Sequence, residues 1–269
     1  MKKVSHLTRI KTGLILGLLT IGSIFFLSTN VFAILCAILV SCALWEWLDL
    51  VQIRSFVYKA LCFVGFWALV ELLSRDLSAV LIAAFIWWVL ATLLIFVPIP
   101  QLQVLRNRFL QFLIATLVLG SLWISIVALH RLSPTVLFYL IMLVCFADTA
   151  AYFVGSRYGK HKLLPSVSPK KSVEGLVGGL VVGSIAGLSV VLFMPDLTTV
   201  KFAAWFIFGV FLIIVSVIGD LFESLMKRLF EAKDSGSLLP GHGGFLDRLD
   251  SLAATFPIYL LILLQLHIV

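Results

Sequence analysis

Near the end of this chain, polar side chains gather at helical spacing within a sequence that is otherwise almost hydrocarbon. Asp220, Glu223, Ser224, Lys227, Arg228 and Glu231 fall at the i, i+3, i+4, i+7, i+8 and i+11 positions of one helical face. Leu221, Phe222, Leu225, Met226, Leu229 and Phe230 fill the other face. Such a helix is expected to turn its polar stripe to water and its apolar side to lipid or protein. A solvated face needs mixed charge, but it does not need the run that follows, Gly241-His242-Gly243-Gly244, and then Asp247, Arg248 and Asp250. Stripe and loop together hold six carboxylates (Asp220, Glu223, Glu231, Asp234, Asp247, Asp250) and four fixed cations (Lys227, Arg228, Lys233, Arg248).

These residue types suit phosphate chemistry. Glycines beside a helix start let backbone N–H groups turn towards an oxyanion, and a helix beginning near Phe245 would add partial positive charge at its N-terminus. Asp220 and Asp247, if brought together, would offer hard oxygen ligands to Mg²⁺, an ion usually held by one or two carboxylates plus substrate phosphates.

A second polar stretch lies upstream. Asp148 precedes Arg157 by nine residues, ~14 Å of unbroken helix, so its carboxylate sits below the membrane interface. A charge at that depth is costly and is usually functional or paired. The following loop carries Arg157, Lys160, His161, Lys162, Lys170 and Lys171, and Ser168-Pro-Lys-Lys-Ser172 places two cations at the expected start of the next helix. Asp148, Glu174 and the six acids above make 8 of the 13 Asp and Glu residues.

The run Ser224-x2-Lys227-Arg228-x4-Lys233-Asp234-x-Gly236-x3-Pro240-x-His242-Gly243-Gly244-x2-Asp247-Arg248-x-Asp250 resembles the signature of the phosphatidate cytidylyltransferases, also called CDP-diacylglycerol synthases. Ala147-Asp148-Thr149-x-Ala151-Tyr152, Gly155, Gly159-Lys160 and Ser168-Pro169-x-Lys171-Ser172-x-Glu174-Gly175 resemble the same family, which usually shows Gly where this chain has Ala150 and Thr where it has Ser172. The likeness covers about residues 145–255; the first half matches only in being hydrophobic.

The resemblance implies transfer of CMP from CTP to phosphatidic acid, giving CDP-diacylglycerol and pyrophosphate, in the bacterial cytoplasmic (inner) membrane. It implies Mg²⁺ held by Asp220 and Asp247, with Asp148 and Asp250 in the same shell and a second cation left open. Lys227 and Arg228 join these acids as catalytic candidates. Lys171, Ser224, Lys233, His242, Gly243, Gly244 and Arg248 are the candidates for phosphate and nucleotide. A lipid-alcohol kinase using a nucleoside triphosphate and a transporter are the rival readings, and a homodimer is left open. A CDP-alcohol phosphotransferase is disfavoured, since no Asp-x2-Asp-Gly-x2-Ala-Arg run occurs.

The elements that must position these residues are membrane helices. Of the 269 residues 62% are hydrophobic and 12% charged, and the mean hydropathy is +1.16, far from soluble globular composition. Windows of roughly 20 apolar residues are needed to cross a ~30 Å core. Nine candidates stand at about 12–29, 31–48, 56–73, 78–97, 109–129, 134–153, 173–194, 202–219 and 252–268. The expected architecture is therefore all-α and polytopic, with about nine transmembrane helices and a cytoplasm-facing polar site. It forms a single integral-membrane domain, with residues 1–130 as scaffold and residues 131–269 carrying the catalytic loops.

With the N-terminus inside, 17 of the 20 Lys and Arg residues face the cytoplasm, leaving Arg75, Arg131 and Lys201 outside. That asymmetry accounts for the net charge of +7 without a nucleic-acid partner. The break after about residue 29 is read as an uncleaved helical hairpin rather than a cleaved signal peptide. Gly175, Gly179, Gly183 and Gly187, four residues apart, leave one helix face bare for close approach by a neighbour. Trp45, Trp47, Trp87 and Trp88 read as packing or interfacial aromatics, and Cys36, Cys42, Cys62 and Cys145 as small core hydrophobes. Glu46, Asp49, Glu71 and Asp76 lie at segment ends, where solvated charge is cheap, and receive no role.

Overall fold

The computed structural model of the chain describes residues 6–188, 199–232, 235–236 and 244–265. Within them the nine apolar windows become nine α-helices in the expected order: α1 (His6–Phe26), α2 (Thr29–Leu50), α3 (Phe56–Leu73), α4 (Leu77–Leu94), α5 (Arg108–Leu132), α6 (Pro134–Tyr158), α7 (Val173–Gly187), α8 (Thr199–Leu229) and α9 (Leu246–Gln265). Helices α2 to α6, and Trp205–Leu229 of α8, are long and apolar enough to cross a membrane, six in all among the described residues. Helix α7 has 15 residues, ~22 Å, short of the hydrocarbon thickness; the rest of its expected window lies outside the described residues. Helices α1 and α2 are divided at Leu27–Ser28, two residues before the expected break.

Two elements depart from the sequence expectation. Ser168–Ser172, read only as the cationic lead-in to the window that opens at 173, form strand β2, paired antiparallel with β1 (Lys162–Leu164) so that Lys162 faces Ser172 and Leu164 faces Ser168. Pro169 removes one backbone donor and disfavours helix at Ser168, so the turn of helix begins only after Ser172, whose hydroxyl accepts the Gly175 N–H at 3.1 Å. The polar stripe 220–231, expected as a separate helix, is the continuation of the eighth apolar window. Helix α8 runs 31 residues, ~46 Å, and so exceeds the bilayer core. It stops where Glu231 takes a left-handed backbone (φ 57°), with Ala232 N–H donating to the Lys227 carbonyl at 2.7 Å and Glu231 N–H to Arg228 at 3.1 Å, a Schellman ending.

Helix α9 is central. Ala253 to Leu260 are buried at every position, which marks a helix enclosed on all sides, and it packs against α8, α5, α4 and α2. Outer helices instead expose large apolar side chains, as α3 does with Phe56, Val57, Leu61 and Val64, the surface expected of lipid contact.

Candidate active site

Helix α8 is oriented by its apolar face. Phe222 meets the edges of Trp87 and Trp88 of α4, with ring centroids 5.5 and 5.7 Å away, and Leu221, Leu225, Met226, Leu229 and Phe230 are all buried. The polar face is therefore divided: Asp220, Glu223 and Lys227 meet the first turns of α9 and the β hairpin and are at least partly covered, while Arg228 and Glu231 stay exposed as expected.

Gly219 sets the spacing of α8 and α9. A Cβ there would collide with the Asp250 carbonyl and touch Ala254, so only glycine lets the two backbones come this close. One residue on, the carboxylates of Asp220, Glu223 and Asp250 converge, with one ligand oxygen from each within 4.8 Å of the others. Glu223 is 4% exposed, whereas Asp220 and Asp250 remain partly accessible. Asp148, on an unbroken α6, has Asp220 and Lys171 as charged neighbours and Ser251 beside its carboxyl. Its side chain is exposed at the surface of α6 rather than sealed in the core.

Two lysines are paired with these acids. Lys171, at the end of β2, reaches Asp220 Oδ2 at 2.6 Å. Lys227 bridges Glu223, one helical turn before it, and Asp247 Oδ1 at 2.8 Å. The other Asp247 oxygen accepts the Gly244 N–H at 3.0 Å. Asp247 thus stands in the first turn of α9 with its carboxylate shared between a lysine and the backbone leading into the helix.

Lys171 is carried by a well-tied hairpin. Glu174 accepts the backbone N–H of Lys160 at 3.1 Å and of His161 at 3.2 Å, and its carboxylate lies 2.6 Å from His161 Nδ1. Its own backbone N–H, the His161 ring and those neighbouring amides bring the Glu174 carboxyl down to about 2. Arg228 Nε donates to the Val167 carbonyl at 3.3 Å, tying α8 to the hairpin turn.

Helices α6 and α7 meet along the glycine stripe. A Cβ on Gly175 would meet the Ala151 carbonyl at 2.8 Å, one on Gly179 the Ala147 carbonyl at 2.9 Å, and one on Gly183 the Ala147 side chain at 2.9 Å. Ala147 precedes Asp148, so the dry interface fixes the height of that carboxylate relative to Lys171 at the head of α7.

The fold therefore gathers Asp148, Lys171, Asp220, Lys227, Gly244, Asp247 and Asp250. Ser224 is partly buried on the same helix; Arg228 touches the hairpin through Nε, and both it and Arg248 are exposed. Lys233, His242 and Gly243 lie outside the described residues. Glu231 is exposed and paired with Arg106 at 3.1 Å, away from the acidic cluster.

Two carboxylates without an assigned role belong here. Glu223 was legible as the i+3 neighbour of Asp220 on one face. Glu46 was expected to be solvated at the end of a segment, yet it is 2% exposed and accepts the N–H of Leu246, the first residue of α9, at 2.9 Å. The expectation failed because the end of α2 is covered by the chain entering α9. The signal was a charge inside an unbroken apolar run, Ala43-Leu44-Trp45-Glu46-Trp47-Leu48.

The chain is similar to several known proteins over most of its length. A phosphatidate cytidylyltransferase of Pseudomonas aeruginosa is 37% identical over 258 residues, covering 93% of this chain and 94% of the relative. One from Haemophilus influenzae is 33% identical over 278 residues, 93% of this chain and 96% of the relative. One from Staphylococcus aureus is 43% identical over 129 residues, 47% of this chain and 48% of the relative. The kinase and transporter readings find no support, and α6 and α8 run unbroken through Asp148 and Asp220, unlike the interrupted helices of many transporters. The model of the cytidylyltransferase family matches residues 7–266, both flanks of the acidic recess and the scaffold around it, and the chain belongs to that family of nucleotidyltransferases.

Proposed function

We propose that this chain is a phosphatidate cytidylyltransferase that joins CTP and phosphatidic acid into CDP-diacylglycerol with release of pyrophosphate. The observation that carries the reading is the convergence of Asp220, Glu223 and Asp250 beside Lys171 and Lys227 at the end of membrane helices. The names of the full-length relatives point to the same substrates.

The donor set suits a hard divalent cation. Five acids (Asp148, Asp220, Glu223, Asp247, Asp250) stand with two lysines, an excess of negative charge that a dication offsets, and all the candidate ligand atoms are carboxylate oxygens. Asp220, Glu223 and Asp250 would hold Mg²⁺, with Asp148 and Asp247 on the rim and a second cation as the finer reading. When bound, the ion supplies positive charge to the triphosphate and to the departing pyrophosphate.

The nucleophile is the phosphomonoester oxygen of the lipid, whose second pKa is ~6, so at neutral pH it needs no general base. Its oxygen forms a bond to the α-phosphorus of CTP as the bond from that phosphorus to the α–β bridging oxygen breaks. Repulsion between the two anions is the main obstacle. Lys171 and Lys227, now held by carboxylates, are the cations placed to meet phosphate oxygens, and Arg228, Arg248, Lys233 and the Gly-His-Gly-Gly turn are the further candidates.

The positive-inside asymmetry supports a site on the cytoplasmic face of the bacterial inner membrane. Residues 131–269 carry the reacting groups and residues 1–130 the scaffold, with Glu46 as the scaffold's contribution.

The test is CTP labelled at the α-phosphate, given with phosphatidic acid in mixed micelles. Label recovered in lipid is the expected outcome; label retained in soluble CDP would refute cytidylyl transfer.

A further inference from the structure

We propose that Glu46 is a positioning residue for the metal–phosphate site, holding the entry to α9 from the opposite half of the chain. The inference rests on the cytidylyltransferase reading only for its kinetic consequence; its structural content stands on the geometry around one carboxylate.

Three contacts converge on that carboxylate. Oε2 accepts the Leu246 N–H. The α-carbons of Gly236 and Gly244 both lie against it, close enough that a Cβ on either would collide with the carboxyl group, and a Cβ on Gly244 would also meet the buried Ser235 hydroxyl. The chain on both sides of residues 237–243 thus returns to the same acid. Gly244 in turn donates to Asp247, Asp247 is paired with Lys227, and Lys227 with Glu223. Asp250 lies one turn beyond Asp247. A shift at Glu46 therefore propagates through Gly244 and Leu246 to the acids that face α8.

The support behind Glu46 is rigid. Its neighbour Trp47 is buried and donates to Gln111 Oε1 at 3.1 Å, while fully buried Gln111 donates to the Leu105 carbonyl at 2.6 Å. On its other side Trp45 lies 3.8 Å under the Lys59 ammonium, which is paired with Asp49 at 2.5 Å. Helix α2 is fastened around Glu46 by α3 and by α5, whose Gln111 is itself tied to the 3₁₀ segment Ile99–Arg106, so the carboxylate is a fixed post. A carboxylate enclosed within a membrane helix is costly, and Glu46 has a named partner in the backbone of α9. Sites of this kind require such outer support to hold their ligands in place.

The experiment uses the purified full-length chain and its Glu46→Ala, Glu46→Gln and Glu46→Asp variants in detergent. Three quantities are measured: hydrogen exchange of the 244–250 amides, Mn²⁺ binding from the paramagnetic resonance signal of the free ion, and CMP transfer. Glu46→Ala is expected to speed exchange at Leu246 about tenfold, to weaken Mn²⁺ binding about tenfold and to lower kcat on the order of a hundredfold, with less change in KM for CTP. Gln, which keeps an accepting oxygen, should fall between Ala and wild type. Combining Glu46→Ala with Gly244→Ala should be less damaging than the sum of the two, because the shortened side chain leaves room for the new Cβ. Wild-type exchange and Mn²⁺ affinity in Glu46→Ala would overturn the proposal, as would a Gln variant as damaged as Ala. If Glu46→Ala yields no folded protein, Glu46→Asp carries the test: it withdraws the carboxylate by one methylene, and an unchanged Mn²⁺ affinity refutes the role. A wild-type chain that moves no CMP refutes the proposed function and leaves the exchange and Mn²⁺ results to judge Glu46.

Discussion

Two helix interfaces meet at this site and are built in opposite ways. Between α6 and α7 the contact is dry and backbone to backbone: Gly175, Gly179, Gly183 and Gly187 are the buried residues of α7, and no charge is needed there. Between α8 and α9 a single glycine, Gly219, gives the same closeness, and the space beside it is filled by Asp220, Glu223 and Asp250. The first interface gains only packing, so it can be tight along its length. The second keeps like charges together at a cost in stability, which is tolerable because the surrounding contacts over-determine where the helices lie. Position comes from the glycines, chemistry from the acids.

The sharpest way to break that comparison is to neutralise an acid without moving a helix. Asp220→Asn should lower CMP transfer on the order of a thousandfold, the equivalent of several kcal/mol of metal-dependent stabilisation, while thermal unfolding in detergent stays near wild type. Unchanged activity at limiting Mg²⁺ would remove Asp220 from the site. Next comes the glycine inside the acidic interface. Gly219→Ala forces the Asp250 backbone away and should cost about a hundredfold in kcat from misplacement alone, with only a modest fall in melting temperature.

The reverse pattern is expected on the dry side. Gly179→Val should lower stability by about 1–3 kcal/mol through overpacking against the Ala147 carbonyl, with activity falling in step, as read by unfolding and turnover on the same samples. If Gly179→Val lost activity without losing stability, the two interfaces would not differ as described. The smallest effect belongs to the hairpin. The Glu174 carboxyl is lowered from its ordinary 4.5 to about 2, so its contribution is complete above about 4.5 and is lost as pH falls towards 2. The His161 side of the pair is exposed, so Glu174→Gln should change turnover by only about twofold at pH 7.

How much of this was legible follows the same division. The Asp220 stripe and the four-residue glycine spacing could each be read because helical periodicity puts near neighbours in sequence on one face. The strand at Ser168–Ser172 and the continuity of α8 past residue 219 were missed: in one case a proline-bearing stretch paired with a partner ten residues away, and in the other a change in polarity was mistaken for a change in element. Glu46 was missed for a different reason, since its partner is 200 residues distant.

The sequence by itself determined the class of molecule, the order of its helices and the residue types of the site, because hydrophobic length and local spacing act over a few turns. Only the tertiary structure decided which carboxylates converge, that Glu223 stands with Asp220 and Asp250 while Asp247 is held by Lys227, and that an acid from α2 grips the start of α9. Those choices depend on how closely two backbones can approach and on what covers a helix end, and neither is written in the neighbouring residues.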